Sequence, residues 1–234
     1  MDMGSSEIAT TIYAISVWLI PLVIAITFHE AAHGFVALRF GDDTALRAGR
    51  ITINPLRHVD LFGTIILPGM LLLASSGQFA FGFAKPVPVN FWRLNNPKRD
   101  MIWVAAAGPT TNIILAIITG FLLHLVPILP DTLAKWFLEN LQNSLQINVI
   151  LAVFNMIPIP PLDGGRVAVG MLPRPLAEPL ARFERWGLFV ILGVVFLLPF
   201  IGSKLGLDLN LLPWLFGPPV DAIEQLIVTL TGNT

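Results

Sequence analysis

Residues 8–28 contain no Asp, Glu, Lys or Arg, and the run leads without a break into Phe28-His29-Glu30-Ala31-Ala32-His33-Gly34. About 20 apolar residues are enough to cross a hydrocarbon core, so the stretch predicts a membrane helix over residues 8–38. His29 and His33 are four apart, which puts both imidazoles on one helix face, one turn from each other. Two nitrogens so placed can bind one tetrahedral zinc. Glu30 stands beside the first His without being needed as a ligand, where a general base for an activated water belongs. Ionisable residues inside a membrane are expensive and usually mark function.

Composition widens the reading. Hydrophobic residues make up 55% of the 234 and charged residues 12%, with a mean hydropathy of +0.75. These values predict an all-α polytopic membrane protein. About five to six transmembrane or re-entrant helices are expected, forming a single integral-membrane domain over residues 1–234. A net charge of −1 gives no reason to expect a nucleic-acid partner. The chain has no cysteine, so a zinc site must use His and carboxylate. The acidic start, Met1-Asp2-Met3-Gly4-Ser5-Ser6-Glu7, lacks the basic region of a cleaved signal peptide, and the first apolar run is expected to be retained.

Residues 39–60 form a polar stretch with Arg39, Arg47, Arg50 and Arg57, and include His58, a loop histidine that can face the site or be ordinary. Residues 61–84 are uncharged but broken by Pro68-Gly69 and Ser75-Ser76-Gly77. In residues 79–89, aromatic and β-branched residues alternate with Pro86 and Pro88, which suits a short edge strand or hairpin. The N–H groups of Val87 and Val89 fall on the alternation opposite the prolines, where an edge can still pair with an extended substrate. A structural hairpin beside the site is the other reading.

The apolar run 101–130 carries Gly108-Pro109-Thr110-Thr111-Asn112 near its start. Small residues there permit close helix approach; Asn112 needs a polar partner, through helix packing or substrate binding. A polar loop with Asp131, Lys135 and Glu139 is expected before the next run, 141–162. That run ends in Asn155-Met156-Ile157-Pro158-Ile159-Pro160-Pro161-Leu162-Asp163-Gly164-Gly165-Arg166, where the prolines stop a helix. Residues 186–203 are a further uncharged run. The stretch 209–230 is shorter and interrupted, able to span or to lie at the interface.

If residues 61–84 do not fully cross, Arg39 through Arg99 share one side and the Arg166 to Arg185 loop returns to it, leaving only Lys135 and Lys204 opposite. That is a positive-inside pattern: N-terminus outside, both motifs near the cytoplasmic face. Asp163 is then a carboxylate at a helix break at the depth of the two histidines, the best candidate for a third ligand. Asn155, at the end of the same apolar run, can donate to a developing oxyanion, or cap, or pack.

His29-Glu30-Ala31-Ala32-His33 in a membrane helix, followed by the Asn155 to Gly164 pattern, resembles the site-2 protease family of intramembrane zinc metalloproteases. Gly108 to Asn112 and the Phe83-Ala84-Lys85-Pro86-Val87-Pro88 segment are similar too, so the likeness covers about residues 20–170. The resemblance implies that His29, His33 and Asp163 bind Zn2+ and that Glu30 activates water. It further implies that Asn155 assists, that an edge strand presents substrate, and that the substrate is a transmembrane protein in the lipid bilayer of a bacterial plasma membrane. The chain has no room for the regulatory domains many relatives carry, and resembles the short members. A metal- or proton-coupled transporter and an inactive scaffold are the alternative readings. A scaffold has no use for Glu30, and a transporter needs a polar pathway on both sides of the site.

Overall fold

The computed structural model describes residues 3–66, 70 and 84–233. Its helices are α1 (Met3–Arg39), α2 (Thr44–Arg47), α3 (Pro97–Leu122), α4 (Asp131–Asn155), α5 (Asp163–Met171), α6 (Arg174–Leu192), α7 (Leu198–Leu205) and α8 (Leu211–Leu230). No strand occurs among the described residues. The first part of the expected strand or hairpin, residues 79–83, lies outside them, and residues 84–90 are extended without ladder pairing.

Three helical stretches are long and apolar enough to cross a membrane: Glu7–Arg39, Pro97–Ile128 and Arg174–Leu205. The described residues are therefore those of a helical membrane protein. The expected count of five to six is not reached by length and hydropathy among the described residues, and α4 shows one physical reason. The polar loop expected at residues 131–140 is the first part of this helix. Two side chains of this helix reach α1: the Trp136 indole N–H donates to Ser16 Oγ at 2.9 Å and the Asn143 amide to the Val17 carbonyl at 2.8 Å. Pro21 lies inside α1 and returns no N–H to the carbonyl four residues back. That carbonyl belongs to Val17, so Asn143 supplies the donor Pro21 lacks. Such a bond is worth only about 0.6 kcal/mol on average in a membrane, but an unmade one costs several kcal/mol.

The centre of the bundle is α1, α3 and α4, each packed on the other two, with α5 against α3, α8 against α4 and α6 against α5. Lipid tails are as apolar as leucine, so close packing of small residues rather than hydrophobic burial holds such helices together. Ala25, Ala37 and Ala116 are accordingly fully buried, while Ile12, Ile15 and Trp18 face outward. A cluster of Ala116, Leu145, Val149, Val220 and Ile227 joins α3, α4 and α8. Phe216 meets Phe154 at one end of α8, and His124 donates to the Thr231 carbonyl at 2.6 Å just beyond its other end. The stretch left open by hydropathy thus runs beside α4 rather than away from the bundle.

At one end, three contacts gather the basic loops. Asn95 N–H donates to the Phe40 carbonyl at 2.8 Å, Arg93 pairs with Asp43 at 3.0 Å, and Lys98 Nζ donates to the Leu172 carbonyl at 2.6 Å.

Candidate metal centre

His29 and His33 lie in the last turns of α1, and Asp163 is the first residue of α5. The peptide groups at a helix N-terminus favour a carboxylate. Asp163 follows the turn 156–162, whose carbonyls lie so close under Gly164 and Gly165 that an added Cβ at either would strike the backbone of residues 156–160. Larger residues after Asp163 would push α5, and the carboxylate with it, off this seat.

The three side chains converge. His29 Nε2 is 3.2 Å from Asp163 Oδ2, His33 Nε2 is 3.3 Å from the same oxygen, and the two Nε2 atoms are 3.1 Å apart. His33 Nδ1 lies 2.7 Å from the Val104 carbonyl, which can only accept, so Nδ1 bears a proton and in the neutral ring Nε2 offers its lone pair. His29 Nδ1 lies 2.6 Å from Asn112 Oδ1 and resolves the same way. Three lone-pair atoms turned toward one another repel unless a cation or a proton lies among them.

The separations fit zinc. Ligands at 2.0–2.1 Å from a tetrahedral ion stand about 3.3–3.4 Å from one another. The space is kept open by Gly108 on α3: an added Cβ there would fall 2.5 Å from His33 Nε2 and 2.6 Å from His29 Nε2. Two histidines and one carboxylate are also a catalytic donor set, leaving a fourth position for water or substrate.

Glu30 faces the same cavity, of about 260 Å³, lined also by Val87, Val89, Asn155 and Asp163. Its Oε2 accepts the Val87 N–H at 2.7 Å. The donor expected on a free edge is thus engaged by the neighbouring carboxylate, while Val89 stands on the cavity wall. Residues 85–90 are stapled along their length. Lys85 N–H donates to the His58 carbonyl at 2.9 Å, Arg50 to the Lys85 carbonyl at 2.5 Å, and Asn90 N–H to Asp42 at 2.6 Å. Burial would raise the Asp42 carboxyl pKa, but the donors from Thr44 and Asn90 and the charge of Arg93 prevail and lower it. His58 is spent on this scaffold, its Nε2 bonded to the Thr52 carbonyl at 2.9 Å, and it is not part of the metal-competent cluster.

Asn155 ends α4 at the cavity, one amide hydrogen donated to Leu151 at 3.0 Å. Asn112 is fully buried behind His29 and does not line the cavity. Gly108, the Val104 carbonyl and Asn148 were not singled out as site residues from sequence. An amide inside an apolar run was the available signal for Asn148.

A helical membrane bundle with an HExxH helix and a converging aspartate defines a membrane-embedded metalloenzyme. Peptidase family M50 matches the chain over residues 17–146 and 124–200. The chain belongs to this family, the site-2 proteases, and is a zinc metalloprotease. Three relatives are named as candidate zinc metalloproteases. YwhC of Bacillus subtilis is 38% identical over 79% of this chain and 81% of its own. Rip2 of Mycobacterium tuberculosis is 30% identical over 88% and 73%, and MJ0611 of Methanocaldococcus jannaschii is 30% identical over 66% and 72%. No solved structure matches the chain to significance.

Proposed function

We propose that this protein is an intramembrane endopeptidase that hydrolyses peptide bonds of membrane-spanning protein substrates. His29, His33 and Asp163 hold zinc, and Glu30 serves as the general base. The observation that carries the reading is the triangle of lone-pair atoms at 3.1–3.3 Å with Glu30 on the same cavity wall. Zinc supplies Lewis acidity when bound, polarising a carbonyl and acidifying water. Glu30 keeps one carboxylate oxygen outside the Val87 bond; it takes the proton of the attacking water and passes it to the leaving amine. Asn155 retains a second amide hydrogen for the oxyanion. Val89, on the wall beside Glu30, contacts the unwound substrate segment, and the extended backbone of 84–90 is the surface along which that segment lies.

The site sits near the cytoplasmic face of a bacterial plasma membrane with the N-terminus outside. The clustering of Arg93, Lys98 and the α1 end at one pole of the bundle supports this through the positive-inside rule. Residues 1–234 act as one integral-membrane unit.

The experiment is a cleavage assay with purified protein on single-span substrates, before and after metal removal, with zinc counted in wild type and Asp163→Ala. Wild-type activity lost on chelation and restored by zinc is expected, with zinc content and cleavage both lowered in Asp163→Ala. Tightly held stoichiometric zinc in Asp163→Ala would move the third ligand elsewhere.

A further inference from the structure

Behind His29 runs a chain of side chains that no catalytic role absorbs. Asn112 Oδ1 faces His29 Nδ1 at 2.6 Å, while Asn112 Nδ2 reaches the Ala25 carbonyl at 3.3 Å and Asn148 Oδ1 at 2.8 Å. Asn148 Nδ2 in turn donates to the Ser144 carbonyl at 2.8 Å, and Ser144 Oγ lies 3.1 Å from Thr119 Oγ1. Asn112 and Asn148 are both fully buried. The chain links α1, α3 and α4 at the level of the metal centre.

Each orientation is forced. The Ala25 carbonyl can only accept, so the Asn112 NH2 group must face it, and the Asn112 oxygen must face His29. The Ser144 carbonyl fixes Asn148 in the same way, which leaves the Asn148 oxygen for Asn112. With both amides pinned from backbone carbonyls, His29 Nδ1 has to be the N–H, so in the neutral imidazole Nε2 carries the lone pair.

We propose that Asn112, held by Asn148, is a positioning residue that fixes the tautomer and aim of His29 and thereby sets the zinc affinity of the site. The proposal rests on His29 being a ligand. Outer partners of ligating histidines are worth about 10–100-fold in metal affinity. Asn112 fits that role on three counts: it bonds the non-ligating nitrogen, it is buried away from the cavity, and its remaining bonds go to two other helices.

The test is zinc affinity of the purified full-length protein by competition with a chromophoric chelator, alongside the absorption spectrum of the cobalt-substituted form and thermal unfolding of the metal-free form. Asn112→Leu is expected to weaken zinc by about 10–100-fold and to shift the cobalt spectrum while the metal-free protein still unfolds cooperatively. Asn148→Leu is expected to weaken zinc in the same direction. Asn148→Asp keeps an acceptor for the Asn112 amide and should bind zinc more tightly than Asn148→Leu. Wild-type affinity and an unshifted cobalt spectrum in Asn112→Leu would overturn the proposal. Should that variant fail to fold, equal affinity in Asn148→Leu and Asn148→Asp would overturn it instead. His29→Ala separates the underlying reading: if it holds zinc as wild type does, His29 is not a ligand. If it loses zinc while the Asn112 and Asn148 variants keep it, only the positioning role fails.

Discussion

The Val87 N–H donates to the carboxylate of Glu30 at 2.7 Å across 57 residues of sequence. One oxygen of the proposed base is therefore tied to the extended segment 84–90, and the other is left for chemistry. Glu30→Gln keeps the shape and the acceptor but removes the base. Cleavage should fall by roughly 10²–10⁴-fold, the usual worth of general base catalysis, with zinc content unchanged. Unaltered turnover would exclude Glu30 from proton transfer.

Val87→Pro deletes the donor and leaves the carboxylate. If the bond aims Glu30, kcat should drop while KM and zinc content stay near wild type. A rise in KM at constant kcat would instead assign this backbone to substrate pairing. Full activity in a folded Val87→Pro protein would show that the bond serves neither.

Gly108→Ala puts a methyl 2.5–2.6 Å from both Nε2 atoms, inside the space a zinc ion needs. Zinc stoichiometry should fall well below one and activity with it, while the protein remains folded in detergent. Retention of a full equivalent of zinc would mean that α3 can move back from α1, and that Gly108 does not guard the ion's place.

Because the chain has no cysteine, orientation can be read with single introduced thiols. Asn95→Cys in intact cells should resist an impermeant thiol reagent added outside, and Leu133→Cys should react. The opposite pattern would place the metal centre near the external face and contradict the charge argument.

What the sequence disclosed was local. The spacing of His29 and His33 fixes their common face on any helix, and the prolines before Asp163 fix a break at that point. What stayed hidden depended on helices meeting. Asn112 reads as a generic polar residue until α1 brings His29 against it, 83 residues away in sequence. Residues 131–140 read as a loop because Asp131, Lys135 and Glu139 count against a membrane helix, yet the helix starts at Asp131 and its Trp136 indole is held by Ser16. The Val87 donor appeared free because alternation along a strand says nothing about a carboxylate approaching from another element.

Pro21 and Pro109 pose the same problem and meet it differently. The carbonyl that Pro21 leaves open is filled by Asn143. Pro109, inside α3, likewise returns no N–H to Ala105, and Ala105 stands on the wall of the cavity that Glu30 faces. A carbonyl that loses its helical donor at membrane depth has to be met by a neighbouring side chain, an ordered water or a local shift of the helix. The backbone of α3 thus asks for a polar partner one residue beyond the glycine that makes room for the ion.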